Sequence, residues 1–246
     1  MQITDNVFVV SGAGAGIGRE VVLALLARGG RVAAVDLSAE GLDGTTELTP
    51  SDARERLSTH VVDVTDRAEV ETVPEAVREA HGRVDGLINV AGSPAPFVRL
   101  ADLDHTEMEK VVAVDLWGVI HTCTTFLPHL LARREACIVN VSSMAALTPV
   151  PGQAVQGAVR AAVGSFTESL CCELRATTVD VTVVLVGDVD TTDAGEVARE
   201  VVRGIEKGSF RVVVGKVARR LDRRSRFSPQ RAVDEAAKRM GPLLER

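Results

Sequence analysis

Apolar residues in this chain fall into short runs separated by longer stretches in which they recur every third or fourth position. The short runs predict buried strands, and the periodic stretches predict helices laid over them. Val7–Val10 reads as a first strand, followed by a glycine-rich turn and a helix near Gly16–Arg28. Arg31–Asp36 is a second strand, and the polar, glycine-containing segment Gly41–Asp52 reads as a loop or broken helix. His60–Val64 is a third strand with its helix over Arg67–Ala80, and Val84–Val90 is a fourth strand. Thr106-x-x-Glu109 has capping-box spacing and opens a long helix reaching about Arg133. Cys137–Val141, Val181–Val186 and Phe210–Val214 complete the strands, with helices over Gln153–Arg175 and Gly195–Lys207 between them.

This alternation predicts an α/β fold: a doubly wound parallel sheet of about seven strands flanked by helices, with right-handed crossovers. No internal repeat or low-complexity linker divides it, so residues 1–246 are expected to form a single domain. Residues 216–246 are rich in arginine and end in a short amphipathic stretch over Ser228–Leu244. They read as a basic helical arm of the same domain, either solvated or in a subunit contact.

Composition narrows the picture. The chain is 46% hydrophobic but only 3% aromatic, so its core must be built from Val, Leu, Ala and Ile. A net charge of −6 argues against nucleic acid as a partner. Cys123, Cys137, Cys171 and Cys172 lack metal-ligand spacing, so no metal is expected. There is no basic stretch followed by an apolar leader, and no apolar run of membrane length stands out; the expectation is a cytoplasmic chain with no membrane partner.

The first candidate chemistry lies in Ser11-Gly12-Ala13-Gly14-Ala15-Gly16-Ile17-Gly18, between a strand and a helix. In that context Gly12 allows the turn, Gly16 lets a pyrophosphate approach the backbone, and Gly18 lets the helix close on the sheet. Asp36 ends the second strand, where a carboxylate can accept both adenosine ribose hydroxyls. No Arg or Lys stands at Leu37, Ala13 or Ala15 to meet a 2′-phosphate, which favours NAD over NADP.

With these motifs in order, the chain resembles the short-chain dehydrogenases/reductases, a family of Rossmann-fold enzymes, over nearly its whole length. The glycine run, Ala15 and Ile17 included, resembles the family's Thr-Gly-x-x-x-Gly-Ile-Gly. Asp63-Val64 resembles its adenine-contacting pair. Asn89-Val90-Ala91-Gly92 resembles Asn-Asn-Ala-Gly, and Val139–Ser143 resembles the strand carrying the catalytic serine. Val186-Gly187-Asp188-Val189-Asp190-Thr191 resembles Pro-Gly-x-Val-x-Thr. The resemblance implies coenzyme contacts from these motifs, including Leu37, Asn89, Ala91, Gly92, Gly187, Val189 and Thr191, and from Arg160.

The family's catalytic Asn, Ser, Tyr and Lys align with Asp115, Ser143, Gln156 and Arg160, and the chain contains no tyrosine at all. A glutamine amide hydrogen-bonds but does not give up a proton at accessible pH. Asp115 and Arg160 are expected to form a compensating ion pair. Asp188 is the nearest substitute acid, and the segment after Thr191 reads as a shortened lid. The implied function is an NAD(H)-binding protein with a degenerate active site, a pseudoenzyme or partner subunit. The alternative is an active oxidoreductase on a carbonyl or alcohol that takes its proton from the substrate, water or Asp188. Other chemistry on the same scaffold is a third reading, although halohydrin dehalogenases, which also carry the arginine, keep the tyrosine and give up the glycine loop. The family resemblance further implies a homodimer or homotetramer through the two long helices, or a hetero-oligomer with an active homologue, acting on a small-molecule substrate.

Overall fold

A computed structural model describes residues 1–94, 96–187, 192–215, 218 and 227–240. Seven parallel strands form one sheet in the order β3-β2-β1-β4-β5-β6-β7. They are β1 (Val7–Ser11), β2 (Arg31–Asp36), β3 (Leu57–Val61), β4 (Gly86–Asn89), β5 (Ala136–Ser143), β6 (Val179–Val186) and β7 (Arg211–Val214). The order reverses between β1 and β4, the point at which a doubly wound sheet leaves a crevice beyond its strands' C-terminal ends.

Alternate residues of the same strand feed opposite cores. Phe8, Val10, Val32 and Ala34 pack with α1 (Gly16–Ala27) and, at the far end of the chain, a helix over Ala194–Lys207. Val7, Val9, Ala33 and Val35 face the other layer, which contains α3 (Arg67–His81) and the long helices. This explains why strands buried on both faces read as unbroken apolar runs in the sequence.

Two elements depart from the sequence reading, and in a third the broken helix, one of the two alternatives, is what forms. Gly41–Asp52 is largely helical: α2 spans Ala39–Leu48, with the Ser38 hydroxyl accepting from the Gly41 N–H at 3.0 Å, and a 3-10 turn covers Ser51–Arg56. A Cβ on Gly41 would lie 3.1 Å from Gly14, so the absence of a side chain lets α2 reach the glycine turn. The third strand is Leu57–Val61 rather than His60–Val64, because Val62 and Val64 are buried beyond the end of an edge strand whose own residues are largely half-exposed. The cap of the long helix lies two residues before Thr106. Asp104 caps α4 (His105–Val112) by accepting from Thr106 N–H at 2.7 Å, since Asp104-x-x-Glu107 has the same spacing as Thr106-x-x-Glu109.

From α4 the chain passes through a wide π-type turn, Ala113–Trp117, into α5 (Gly118–Leu131). His105–Leu131 is therefore one run long and apolar enough, at a mean hydropathy of 1.4, to cross a membrane by length and composition, contrary to the sequence expectation. Val119, Cys123, Phe126 and Leu130 nevertheless bury one face of it against the sheet, and Asp115 sits within it. α6 (Ala154–Glu173) follows β5, and the last described helix is Pro229–Met240. Burial pushes the Cys123 and Cys137 thiols up to about 12, which makes both inert core residues.

One buried carboxylate ties the bottom of the sheet together. Asp85, 1% exposed, accepts from Val7 N–H at 2.9 Å, Arg83 Nε at 2.8 Å and Arg133 Nε at 2.7 Å. It links the start of β1, the approach to β4 and the end of α5.

Candidate active site

Where the strand order reverses, the turns that follow β1 and β4 touch. Gly12 has φ +72°, and a Cβ there would lie 2.6 Å from Ala91 N, so the glycine turn packs directly on the Ala91-Gly92 turn. Gly18 closes α1 onto the same turn, since a Cβ there would stand 1.9 Å from Gly12 O. Gly16, at φ +50°, has nothing within 4 Å on its side-chain side and leaves the backbone open to a ligand.

The start of α1 carries no side-chain cap and no acidic residue in its first turn. Four other helices are capped by a side chain, through Ser38, Asp66, Asp104 and Asp193, whereas α6 also begins without one. Uncapped N–H groups at a helix start, beside an open glycine backbone, suit an anionic phosphate.

Asp36 stands at the end of this cradle beside β2. Its Oδ2 accepts from Gly14 N–H at 2.8 Å and its Oδ1 from Ser38 N–H at 2.9 Å. A carboxylate has about four acceptor positions, so each oxygen keeps capacity for a ribose hydroxyl. Arg19, which the sequence reading passed over, braces the loop. Its guanidinium donates to Gly14 O, to Gly41 O at 3.3 Å and to Thr45 Oγ1 at 3.1 Å. These residues fit a nicotinamide dinucleotide, with backbone for the pyrophosphate and Asp36 for the ribose; bound there, such a coenzyme supplies or accepts hydride.

Two residues of the expected coenzyme set also make side-chain contacts within the protein. Asn89 is 2% exposed, with Nδ2 donating to Asn140 Oδ1 at 2.8 Å and Oδ1 accepting from Thr122 at 2.8 Å, so it anchors the turn from beneath. Asp63 Oδ1 accepts from Thr65 N–H at 2.8 Å and Thr65 Oγ1 at 2.7 Å, which shapes the loop after β3. Asp188, Val189 and Thr191, together with the start of the expected lid, lie outside the described residues.

The positions aligned with the tetrad come together. The π-type turn carries Asp115 into the interior at 0% exposure. Its Oδ2 lies 2.8 Å from Arg160 Nη2 and accepts from Gln156 Nε2 at 3.1 Å. Its Oδ1 accepts from Ser93 N–H at 2.6 Å and Ser93 Oγ at 3.2 Å, a partner with no advance signal in the sequence. Arg160 also donates to Val141 O at 3.3 Å, and its Nη2 sits 2.6 Å from where a Gly92 Cβ would be. The ion pair expected from the sequence is therefore present and lies against the turn that abuts the glycine loop.

Ser143 ends β5, and its Oγ accepts from Ala145 N–H at 3.1 Å. Gln156 Oε1 is buried and has no hydrogen-bond partner among the described residues. The five histidines take no part in the tetrad contacts. His60 and His81 share the Ser58 hydroxyl at 2.8 and 2.9 Å, and burial holds both below their ordinary pKa. Among the described residues no group of three or more His, Cys, Asp or Glu could hold a metal ion.

The family described as short chain dehydrogenase has a model that matches residues 6–202. The chain is 32% identical over 193 residues to the 3-oxoacyl-[acyl-carrier-protein] reductase FabG of Thermotoga maritima, covering 78% of this chain and 77% of that protein. It is 32% identical over 191 residues to 2-(R)-hydroxypropyl-CoM dehydrogenase of Xanthobacter autotrophicus, covering 76% of each. In fold it matches a short-chain dehydrogenase/reductase from Burkholderia phymatum solved in complex with NAD, with a TM-score of 0.83 at 22% identity, over 91% of this chain and 93% of that one.

Proposed function

Because the chain belongs to the short-chain dehydrogenase family, we propose that it binds NAD(H) in the family's crevice but lacks the proton-transfer group of the family's hydride-transfer reaction. It then acts as a coenzyme-binding subunit or pseudoenzyme. One observation carries this reading: Gln156 is held by Asp115 through its own Nε2, and Arg160 is turned onto the same carboxylate. Gln156 can orient a ligand, but it neither donates nor accepts a proton covalently. Arg160 remains a fixed positive charge beside the Ala91-Gly92 turn, while Ser143 keeps a hydroxyl that can hydrogen-bond a ligand.

NAD(H) is proposed over NADP(H) because Asp36 puts a carboxylate where a 2′-phosphate would lie, and Arg19 is committed to Gly14, Gly41 and Thr45. The expected result is saturable NADH fluorescence on titration with the protein, with NADPH bound more weakly. Asp36→Ala should weaken NADH by about 10- to 100-fold, the worth of hydrogen bonds to a charged acceptor, and narrow the gap to NADPH. No saturable signal for either coenzyme contradicts the reading; equal affinity for the two removes the role given to Asp36.

The names of the relatives, a reductase and a dehydrogenase, favour a second reading: an oxidoreductase with a proton source other than residue 156. Turnover that survives Gln156→Leu distinguishes it from the first.

A further inference from the structure

The amide of Gln156 cannot turn over freely. A carboxylate only accepts, so the Gln156 group 3.1 Å from Asp115 Oδ2 must be the NH₂. The carbonyl end is then fixed on the other side of the amide, buried and without a hydrogen-bond partner among the described residues. Buried acceptors are seldom left unpaired, so this one calls for a donor from outside the described residues.

Ser143 offers the complementary group. Its Oγ already accepts the Ala145 N–H, which leaves its own hydrogen to donate. The two residues are neighbours in the fold, because Gly157 packs over the 3-10 turn that Ser143 caps; a Cβ there would lie 3.3 Å from Ala145 O. A phenol at position 156 could have donated to a carbonyl oxygen. Here the fixed group at that position can only accept.

We propose that Gln156 makes this pocket selective for a hydroxyl-bearing ligand, the secondary alcohol rather than the ketone of a redox pair. The Ser143 hydroxyl donates to the ligand oxygen, and the ligand hydroxyl donates to Gln156 Oε1. A ketone can satisfy Ser143 but leaves Oε1 unpaired. A methyl ether of the alcohol has an oxygen but no proton and fails in the same way. Asp115 is the positioning residue, since its hold on Nε2 decides which end of the amide meets the ligand. The inference rests on the proposed use of this crevice for small-molecule binding but does not depend on coenzyme occupancy.

The test compares cyclohexanol, cyclohexanone and cyclohexyl methyl ether by ligand-observed NMR on the full chain, with and without saturating NADH. The expected result is roughly tenfold tighter binding of the alcohol than of the other two, the effect of one satisfied buried acceptor. In Gln156→Met, which keeps the length of the side chain and removes the amide, the three probes should bind alike. A ketone or ether that binds the wild-type protein as well as the alcohol overturns the proposal. So does binding of none of the three, or a preference that persists in Gln156→Met. If that variant does not fold, the ether comparison on the wild-type chain decides alone. A protein that fails to bind NADH but still prefers the alcohol would count against the coenzyme reading and leave this one standing.

Discussion

Combining Gln156→Tyr, Arg160→Lys and Asp115→Asn is expected to raise NADH-dependent ketone reduction on the order of 10²–10⁴-fold over the parent chain, the usual contribution of a positioned proton donor. Gln156→Tyr alone should stay close to the parent. In the single variant the Asp115 carboxylate remains beside position 156, and a neighbouring negative charge disfavours ionisation of a phenol. Arg160 also remains held by Asp115 at 2.8 Å, and so is not free to support the new tyrosine. Removing the carboxylate and shortening the cation release both constraints together. Initial rates over a panel of ketones measure the effect, with the three single variants alongside. A single Gln156→Tyr as active as the triple would show that the ion pair does not hold the site in its present form.

The largest expected stability effect lies far from the crevice. Asp85→Ala should cost about 2–4 kcal/mol, because it strands Val7 N–H inside the sheet and removes the partner of two arginines at once. The figure sits below that for a fully buried pair because Arg83 and Arg133 are 42% and 35% exposed and can return to water. Asp85→Asn should recover part of the loss, since an amide oxygen can still accept from Val7. Arg67→Ala, which breaks only the exposed Arg67–Glu71 pair, serves as the control and should leave the unfolding midpoint nearly unchanged. Equal midpoints for Asp85→Ala and Arg67→Ala in urea would refute the role given to Asp85.

Much of the architecture was legible because apolar strands buried on both faces leave unmistakable short runs. The ends of β1 and β2 and the glycine turn between them could be read almost residue by residue. The departures, and the two alternatives at residues 41–52, have local causes. Gly41 resembles a breaker until α2 is seen pressing on Gly14, a reason that only tertiary packing supplies. Asp104 and Thr106 offer the same capping spacing two residues apart, and the hydrogen bond chose Asp104. Of the site, the pairing of Asp115 with Arg160 was legible from two departures of opposite charge in one expected tetrad. The parts that complete it were not: Ser93, the π-type turn that delivers Asp115, and the bracing by Arg19 all depend on distances between segments. The partners of the Asn89 side chain, Asn140 and Thr122 inside the core, likewise had no signal in the sequence.

The central claim, a crevice that holds nicotinamide coenzyme beside a residue unable to move a proton, meets its most direct test in one sample. Wild-type protein is saturated with NADH, judged by its fluorescence, and ketones are added while the coenzyme's near-ultraviolet absorbance is followed. NADH should stay bound and not be consumed. Steady consumption that disappears in Gln156→Leu would contradict it.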